Sequence, residues 1–222
     1  MFCIPIIAGN TDEAIEKIVR ANTLADMLEI RLDMMDTFDL HEIIQASGKP
    51  VLVTYRSKEE GGKGDADPET RTGYILEAIQ EGADLVDVEL SLPQKWREKI
   101  FDARGKSSII ISNHINDGTP SREGLEEIFR KSTATRAHVI KIVTMAQKWE
   151  DNLHLLELIP KAHGMGIKII AFCMGPRGRI SRIFSHLMGG YLTFTSLESG
   201  QESASGQIPI FEMKKILEHF SA

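Results

Sequence analysis

The chain has 222 residues, of which 42% are hydrophobic and 26% are charged, values that are ordinary for one globular domain with a sizeable core. Its formal net charge of -6 argues against nucleic acid or an anionic membrane as the main partner, but it is compatible with a local cationic pocket. The two cysteines, Cys3 and Cys173, lie in apolar runs, so a disulfide scaffold is not expected, and no CxxC or HExxH spacing suggests a metal site.

The N-terminal apolar run is short and has no basic residues before it, which is unlike a signal peptide. No window approaches the roughly 18 apolar residues of a membrane span. We therefore expect a cytoplasmic protein without a signal peptide or a membrane span.

Apolar runs and helix signals alternate along the whole chain. The predicted strands are 2–7, 27–32, 51–55, 85–90, 108–112, 137–145, 168–174 and 191–195. The predicted helices start at a Thr11 cap, at 40, near Pro68, after Pro93, at Ser121, at Trp149, after Gly178 and at Pro209. Eight strands alternating with eight helices predict a (β/α)8 TIM barrel, a single α/β domain over residues 1–222.

Two terminal helices show candidate core faces in this pattern. Ala14, Ile15, Ile18 and Val19 would form the apolar face of the first helix. Phe211, Ile216, Leu217 and Phe220 would form that of the last helix. The rival architecture is an open doubly wound sheet, but Ala8-Gly9-Asn10-Thr11 after the first strand is not the GxGxxG turn that this fold usually carries.

The sixth predicted strand carries one lysine among apolar residues. Alternation places Val139, Lys141 and Val143 on one face of this strand and Ile140 and Ile142 on the other. A strand that is apolar on both faces is typical of a parallel sheet covered by helices, where an ammonium is costly unless it is paired or neutral. A lysine on an edge strand is the commoner case in proteins, but an enclosed lysine is the type that becomes nucleophilic towards a ketone.

Polar residues cluster at the carboxyl ends of the strands, where barrel enzymes place their chemistry. They are Glu29, Arg31, Arg56, Asp87, Glu89, His114, Lys141, Met174 and Arg182. Taken singly, Arg31 with Glu29, or Arg56 with Glu60, could be a structural ion pair. Their convergence around one buried lysine favours a functional site.

His114 is predicted to follow the fifth strand directly and is the natural acid and base, since its reference pKa suits proton transfer at neutral pH. Asp87 on the neighbouring strand could orient its imidazole. Arg182, near the start of the seventh helix, combines a guanidinium with the positive end of a helix dipole and is a good carboxylate site. The polar loop 196–207 is long enough for a lid, with Ser203 and Gln207 supplying hydrogen bonds, although a solvated linker has the same composition.

Seven short motifs in this order make the chain resemble the type I 3-dehydroquinate dehydratase family over nearly its whole length. They are Glu29-Ile30-Arg31-Leu32-Asp33, Thr54-Tyr55-Arg56-Ser57 with Glu60-Gly61-Gly62, Asp87-Val88-Glu89-Leu90, Ser112-Asn113-His114, Lys141-Ile142-Val143-Thr144-Met145, Ile180-Ser181-Arg182 and Ser203-Ala204-Ser205-Gly206-Gln207. Two positions depart from the family pattern. Pro5 stands where a serine is found, and Asn116 stands where an aromatic residue often follows the histidine.

The resemblance implies a cofactor-free and metal-free syn elimination of water from 3-dehydroquinate, which gives 3-dehydroshikimate in the shikimate pathway. It implies that Lys141 forms an imine with the ketone and that His114 removes and returns the proton. It further implies that Arg182 binds the substrate carboxylate and that Glu29, Arg31 and Arg56 bind the ring hydroxyls. Ser203 and Gln207 would close the lid, and Met174 would pack against the ring. Asp87 would orient His114, and Glu60 would tune the site from its edge. A homodimer is expected from the bacterial relatives.

Two other functions remain open at this stage. A class I aldolase acting on a phosphorylated sugar would need a phosphate site in the loops after strands seven and eight, which Gly175-Pro176-Arg177-Gly178 could provide in part. A catalytically silent barrel that binds an anionic metabolite would have no need for a buried amine beside an acid and base.

Overall fold

The structure, a computed structural model, describes residues 1–220. The strands in this part are β1 (Phe2–Ile6), β2 (Met27–Arg31), β3 (Val51–Thr54), β4 (Leu85–Glu89), β5 (Ser108–Ile115), β6 (Val139–Met145), β7 (Lys168–Met174), β8 (Thr193–Ser196) and β9 (Ile208–Pro209). The α-helices are α1 (Thr11–Ala21), α2 (Leu40–Gln45), α3 (Pro68–Gln80), α4 (Gln94–Ala103), α5 (Arg122–Thr133), α6 (Glu150–Leu156), α7 (Leu158–Gly164), α8 (Arg179–Leu187) and α9 (Ile210–Glu218). Short 3₁₀ turns cover Leu32–Met34, Lys58–Glu60 and Pro176–Gly178.

The strands form one curled parallel sheet in the order β7-β6-β5-β4-β3-β2-β1-β8-β9. The two sides meet where the backbone N–H of Tyr191, just before β8, donates to the carbonyl of Ile169 in β7 at 2.7 Å. Helices lie between successive strands from β1 to β8, α9 follows β9, and the helices cover the outside. The predicted (β/α)8 barrel is thus confirmed.

Strand alternation separates an inner core from an outer one. Inside the barrel, a cluster that includes Val139, Val143, Ile170 and Phe172 packs around the axis. Outside, Ile140 and its neighbours pack against the helices. The two faces predicted for β6 are therefore the faces that the fold uses, and Lys141 points inward with Val139 and Val143.

Three differences from the prediction go beyond shifts of one or two residues at the ends of elements. β5 continues to Ile115, so His114 lies within a strand and not beyond its end, because its pairing with β6 runs on to Ile115↔Thr144. The helix predicted from Trp149 is divided at Glu157 into α6 and α7. The two-residue strand β9 was not predicted, since a segment this short shows no period.

Two predicted helix features are wrong. The cap of α1 is Asn10, whose side chain accepts from the N–H of Glu13 at 3.0 Å, whereas the Thr11 hydroxyl accepts from the N–H of Asp39. Val19, Phe211 and Phe220 are more than half exposed. In α9 the buried residues are Ile210, Met213 and Leu217, because these lie on the side of the helix that faces the barrel.

Within residues 1–220, none of the helices combines the length and the hydropathy needed to cross a membrane. The same part of the chain has no group of three or more His, Cys, Asp or Glu side chains arranged to hold a metal ion.

Replacing the cap residue of α1 tests the helix start. We expect Asn10→Ala to lower the free energy of unfolding by about 1 kcal/mol, because the N–H of Glu13 loses its acceptor. Asn10→Asp keeps an acceptor and should change it by only a few tenths. Urea denaturation measures both, and an equal loss in the two variants would contradict the cap.

Candidate active site

The sheet register brings the polar ends of β2 to β6 to one level at the carboxyl end of the barrel. Thr54 pairs with Arg31 on one side and with Asp87 on the other. Ser112 likewise lies between Glu89 and Lys141. All six residues have the inward parity of their strands, so apolar layers fill the lower barrel and polar side chains occupy its mouth.

Lys141 is enclosed at this mouth, with 4% of the residue exposed. Its Nζ donates to Asp87 Oδ2 at 3.1 Å and lies 4.0 Å from Glu29 Oε1. The ring of Phe194 lies 4.4 Å from Nζ on another side. A buried amine is thus compensated by two carboxylates and held against an aromatic face.

Asp87 and Arg56 form the centre of the buried ion network. Arg56 Nη2 lies 2.7 Å from Asp87 Oδ1, and Nη1 lies 3.1 Å from Glu89 Oε1 and 3.3 Å from Glu60 Oε2. Burial acts to raise the pKa of Asp87, but Arg56 and Lys141 outweigh it and hold this pKa well below its usual range. The Asp87 carboxylate therefore stays ionised and fixes both cations.

The partner of the His114 imidazole is Glu60. Nδ1 of His114 lies 3.1 Å from Glu60 Oε2, and the backbone N–H of His114 donates to the same oxygen at 3.0 Å. The expectation that Asp87 orients His114 is corrected by these contacts, since Asp87 is bound to Lys141, Arg56 and Ser112. The reason is the 3₁₀ turn Lys58–Glu60, which brings the Glu60 carboxylate over the end of β5.

The charges around this pair shift both titrations. Burial, with the cations Arg56 and Lys141, lowers the pKa of His114 well below its usual value, so the imidazole is neutral at neutral pH. Burial raises the pKa of Glu60 to about 7, with Arg56 opposing the shift and Glu89 adding to it. When Glu60 is ionised, Nδ1–H of His114 donates to it and Nε2 keeps a free lone pair, which is the form of a general base.

Arg182 lies across the mouth and has no carboxylate partner among residues 1–220. It is 1% exposed, and its Nε and Nη1 make no hydrogen bond, while Nη2 donates to the carbonyl of Ser205 at 3.3 Å. The ring of Phe172 lies 4.4 Å from the guanidinium carbon. Burial lowers the pKa of Arg182 to about 9, so the group remains cationic at neutral pH and is free to bind an anion.

The arginine on β2 has a local partner. Arg31 donates from Nε and Nη2 to both oxygens of Asp33 at 2.8 Å, so the possible structural pair of Arg31 with Glu29 does not form. Glu29 instead accepts from the Thr54 hydroxyl at 2.8 Å. The alternative pair of Arg56 with Glu60 does form, but as one part of the larger network.

The loop after β8 folds over the mouth. Gln207 donates from Nε2 to Ser203 Oγ at 2.8 Å and accepts from the N–H of Ser203 at 2.9 Å. Gly206 has a φ of +82°, and a Cβ there would lie 2.3 Å from the carbonyl oxygen of Gly175. Glycine thus allows the loop to approach the turn after β7 closely.

One cavity collects nearly all the predicted site residues. Its lining includes Lys141, His114, Glu60, Glu29, Arg31, Arg56, Met174, Arg182, Ser203 and Gln207. Asp87 lies behind the lining, in contact with Lys141 and Arg56. Sequence reasoning had not assigned Thr54, Asn116, Val143, Phe172, Phe194 and Ala204 to the site. Side chains two positions apart on a strand point the same way. Phe172 therefore faces inward with Met174 on β7, and Phe194 on β8 faces inward with Leu192, so alternation alone indicates both phenylalanines.

Fold and site define a class of protein: a TIM barrel with an enclosed amine, an imidazole held by a carboxylate, and an unpaired guanidinium around one cavity at its carboxyl end. The sequence profile described as type I 3-dehydroquinase matches residues 2–222. The chain belongs to this family. As its homologues are named dehydratases, it is an enzyme of the hydro-lyase class.

Individual relatives agree with this membership. A 3-dehydroquinate dehydratase of Methanocaldococcus jannaschii is 35% identical over 221 residues, which cover 97% of each chain. The bifunctional 3-dehydroquinate dehydratase/shikimate dehydrogenase of Arabidopsis thaliana is 36% identical over 219 residues, 96% of this chain but 36% of that protein.

Solved structures share the fold. The 3-dehydroquinate dehydratase of Geobacillus kaustophilus superposes with a TM-score of 0.89 at 27% identity, covering 100% of this chain and 92% of that one. The type I enzyme of Clostridium difficile, solved with covalently modified comenic acid, has a TM-score of 0.87 at 27% identity and covers 99% and 91%.

Glu89 provides a test of the ion network. It accepts from the buried Arg56 and from the half-buried Arg71, so Glu89→Gln removes a negative charge that two guanidinium groups share. We expect the free energy of unfolding to fall by about 3 kcal/mol, measured by urea denaturation at pH 7. Glu127→Gln is the matched control, because its pair with Arg130 is exposed and should be worth less than about 1 kcal/mol. Similar losses in both variants would show that the network does not depend on Glu89.

Proposed function

We propose that this chain converts 3-dehydroquinate to 3-dehydroshikimate by forming an imine between Lys141 and the ketone of the substrate. The observation that carries the proposal is that Lys141, Arg182 and the pair of His114 with Glu60 all line one cavity at the mouth of the barrel. Family membership supplies the substrate, since the named relatives are 3-dehydroquinate dehydratases. A covalent ligand in the Clostridium difficile relative supports a nucleophile in such a site.

Lys141 provides the nucleophile. Its neutral amine adds to the C3 carbonyl, and loss of water gives a C=N bond whose protonated form carries one positive charge. That charge occupies the position of the ammonium, so Asp87 at 3.1 Å and Glu29 at 4.0 Å can stabilise it in the same way. The iminium withdraws electrons and makes the protons on C2 acidic.

His114 moves the proton. Its neutral imidazole, with Nδ1–H held by Glu60, takes a C2 proton on Nε2 and leaves an enamine. The enamine electrons expel the C1 hydroxyl, which leaves as water after His114 returns the proton. Hydrolysis of the product imine releases 3-dehydroshikimate and restores Lys141.

The remaining polar groups position the substrate. Arg182 has two unpaired nitrogen positions and suits the carboxylate on C1. We assign the ring hydroxyls of the substrate to Glu29, Arg31 and Arg56. Ser203 and Gln207 would close the site, and Met174 would pack against the ring. All six residues line the cavity.

Borohydride reduction tests the imine. In the presence of 3-dehydroquinate, reduction should add one ligand-sized mass to the chain, and peptide mapping should place it on Lys141, because only a C=N bond is fixed in this way. Lys141→Met should give no adduct and no conjugated-enone absorbance. Lys106→Met, which removes an exposed lysine, should behave like the unaltered chain.

His114→Ala separates the two chemical roles. We expect it to lower kcat by roughly 10² to 10⁴ while the reducible adduct on Lys141 persists. An adduct on another lysine, or turnover that survives in Lys141→Met, would contradict the mechanism.

The acid limb of kcat/KM should report Glu60. Below the pKa of about 7, Glu60 is protonated and no longer accepts from Nδ1–H, so kcat/KM should fall as the pH decreases through this value. In Glu60→Gln, only His114 is left to titrate, and since its pKa lies well below 6.5, the limb should move to lower pH with a reduced plateau. Glu59→Gln changes an exposed neighbour and should leave the limb in place. An unmoved limb in Glu60→Gln would assign the titration to another group.

A further inference from the structure

At the mouth of the barrel, the end of β5 lies beside the turn that follows β3. His114 on β5 contacts Glu60 in this turn. Asn116, just past the end of β5, packs over the residue after the turn, Gly61. A Cβ on Gly61 would lie 2.7 Å from Asn116 Oδ1 and 3.0 Å from both its Cγ and its Nδ2. The Asn116 amide therefore occupies the space that a side chain at position 61 would fill.

Asn116 lines the same cavity as His114 and Lys141. It has the parity of His114 along the chain, which explains why both side chains turn to the inside of the barrel. Asn116 is also exposed to solvent, so it lies at the opening of the cavity. Within residues 1–220 its side-chain amide forms no hydrogen bond, and its N–H donors and its oxygen are free for a ligand.

The backbone that follows Asn116 is fixed to the neighbouring strand and its loop. Gln147 Nε2 donates to the carbonyl of Asp117 at 2.7 Å. The backbone N–H of Met145, at the end of β6, donates to the carbonyl of Gly118 at 3.2 Å. The free amide is therefore held in a constant position at the cavity, as a group that stabilises a transition state must be.

The dehydration proposed above places the leaving oxygen on this side of the cavity. In a syn elimination the C1 oxygen leaves from the face of the ring that loses its C2 proton, and His114 is the group that takes this proton. Two residues of extended chain span roughly 6 to 7 Å, so Asn116 follows His114 towards the opening by about the length of a side chain. The free amide and the imidazole can therefore reach the same face of the ring.

We propose that the Asn116 amide donates a hydrogen bond to the C1 hydroxyl of the substrate as this group leaves, an inference that rests on the proposed function. When the C1–O bond breaks, its electron pair goes to the oxygen, and the proton that His114 took from C2 completes a water molecule. The enamine electrons form the C1=C2 bond and restore the C=N bond. Asn116 transfers no proton, but its donor lowers the barrier because negative charge develops on the leaving oxygen.

The enamine has two fates, and this hydrogen bond acts on only one of them. His114 either returns the proton to C2, which restores the imine of the substrate, or delivers it to the C1 oxygen, which gives the product. In D2O the proton on His114 exchanges with the solvent, so its return to C2 leaves deuterium there. The ratio of deuterium in the recovered substrate to the product formed therefore measures the division between the two fates.

Partial turnover of 3-dehydroquinate in D2O tests the proposal. Asn116→Leu keeps the approximate size of the side chain and removes its donors. We expect the ratio of C2 deuterium to product to rise roughly 10-fold, the worth of one hydrogen bond to an oxygen that gains charge, and kcat to fall. Mass spectrometry of the recovered substrate and the enone absorbance of the product give the two quantities. Trapping with borohydride should still modify Lys141.

Asp117→Asn is the matched control. It changes the exposed neighbour of Asn116 without changing the length of the side chain, so the ratio should stay that of the unaltered chain. A residue that only supported the turn with Glu60 would act on proton removal. Its loss would lower deuterium incorporation and product together and would move the acid limb of kcat/KM, without raising the ratio.

Circular dichroism establishes that each variant is folded. An unchanged ratio in folded Asn116→Leu, or an equal rise in Asp117→Asn, would overturn the proposal while enone formation by the unaltered chain leaves the dehydration in place. If the unaltered chain gives neither the enone nor an adduct on Lys141, the proposed function itself is wrong, and this inference is wrong with it.

Discussion

The buried ion network of Lys141, Asp87 and Arg56 is the constraint on which the mouth of the barrel depends. Removing a charge from water costs several kcal/mol, so each buried cation requires a carboxylate in contact. Asp87 meets this requirement for Lys141 at 3.1 Å and for Arg56 at 2.7 Å. Since these residues belong to β6, β4 and the end of β3, one set of ion pairs fixes the relative positions of three strands.

The same network sets the protonation of the groups beside it. Burial, together with the cations Arg56 and Lys141, lowers the pKa of His114, and burial next to other carboxylates raises that of Glu60 to about 7. The imidazole is therefore neutral and able to accept a proton, while Glu60 titrates close to neutral pH. The reactivity of the site is thus a property of its buried charges as a group.

Helix α8 connects this chemistry to the outside of the protein. Its inner face holds Arg182 in the cavity, and Ser181 accepts from the backbone N–H of Cys173 at 2.8 Å and so joins the helix to β7. Its outer face is correspondingly apolar. One short helix therefore holds the guanidinium in the site on one side and leaves apolar side chains exposed on the other.

The sequence by itself determined the barrel, the inward direction of Lys141 and the set of side chains at its mouth, because alternation along a strand and the common carboxyl edge of parallel strands are local rules. Only the tertiary structure decided which of these side chains meet. Glu60 and His114 are 54 positions apart, and their contact depends on how the turn after β3 lies over β5. Packing likewise decided that Phe211 is exposed and that α8 buries its polar side chains and exposes its apolar ones. The apolar character of a residue alone does not determine whether another element covers it.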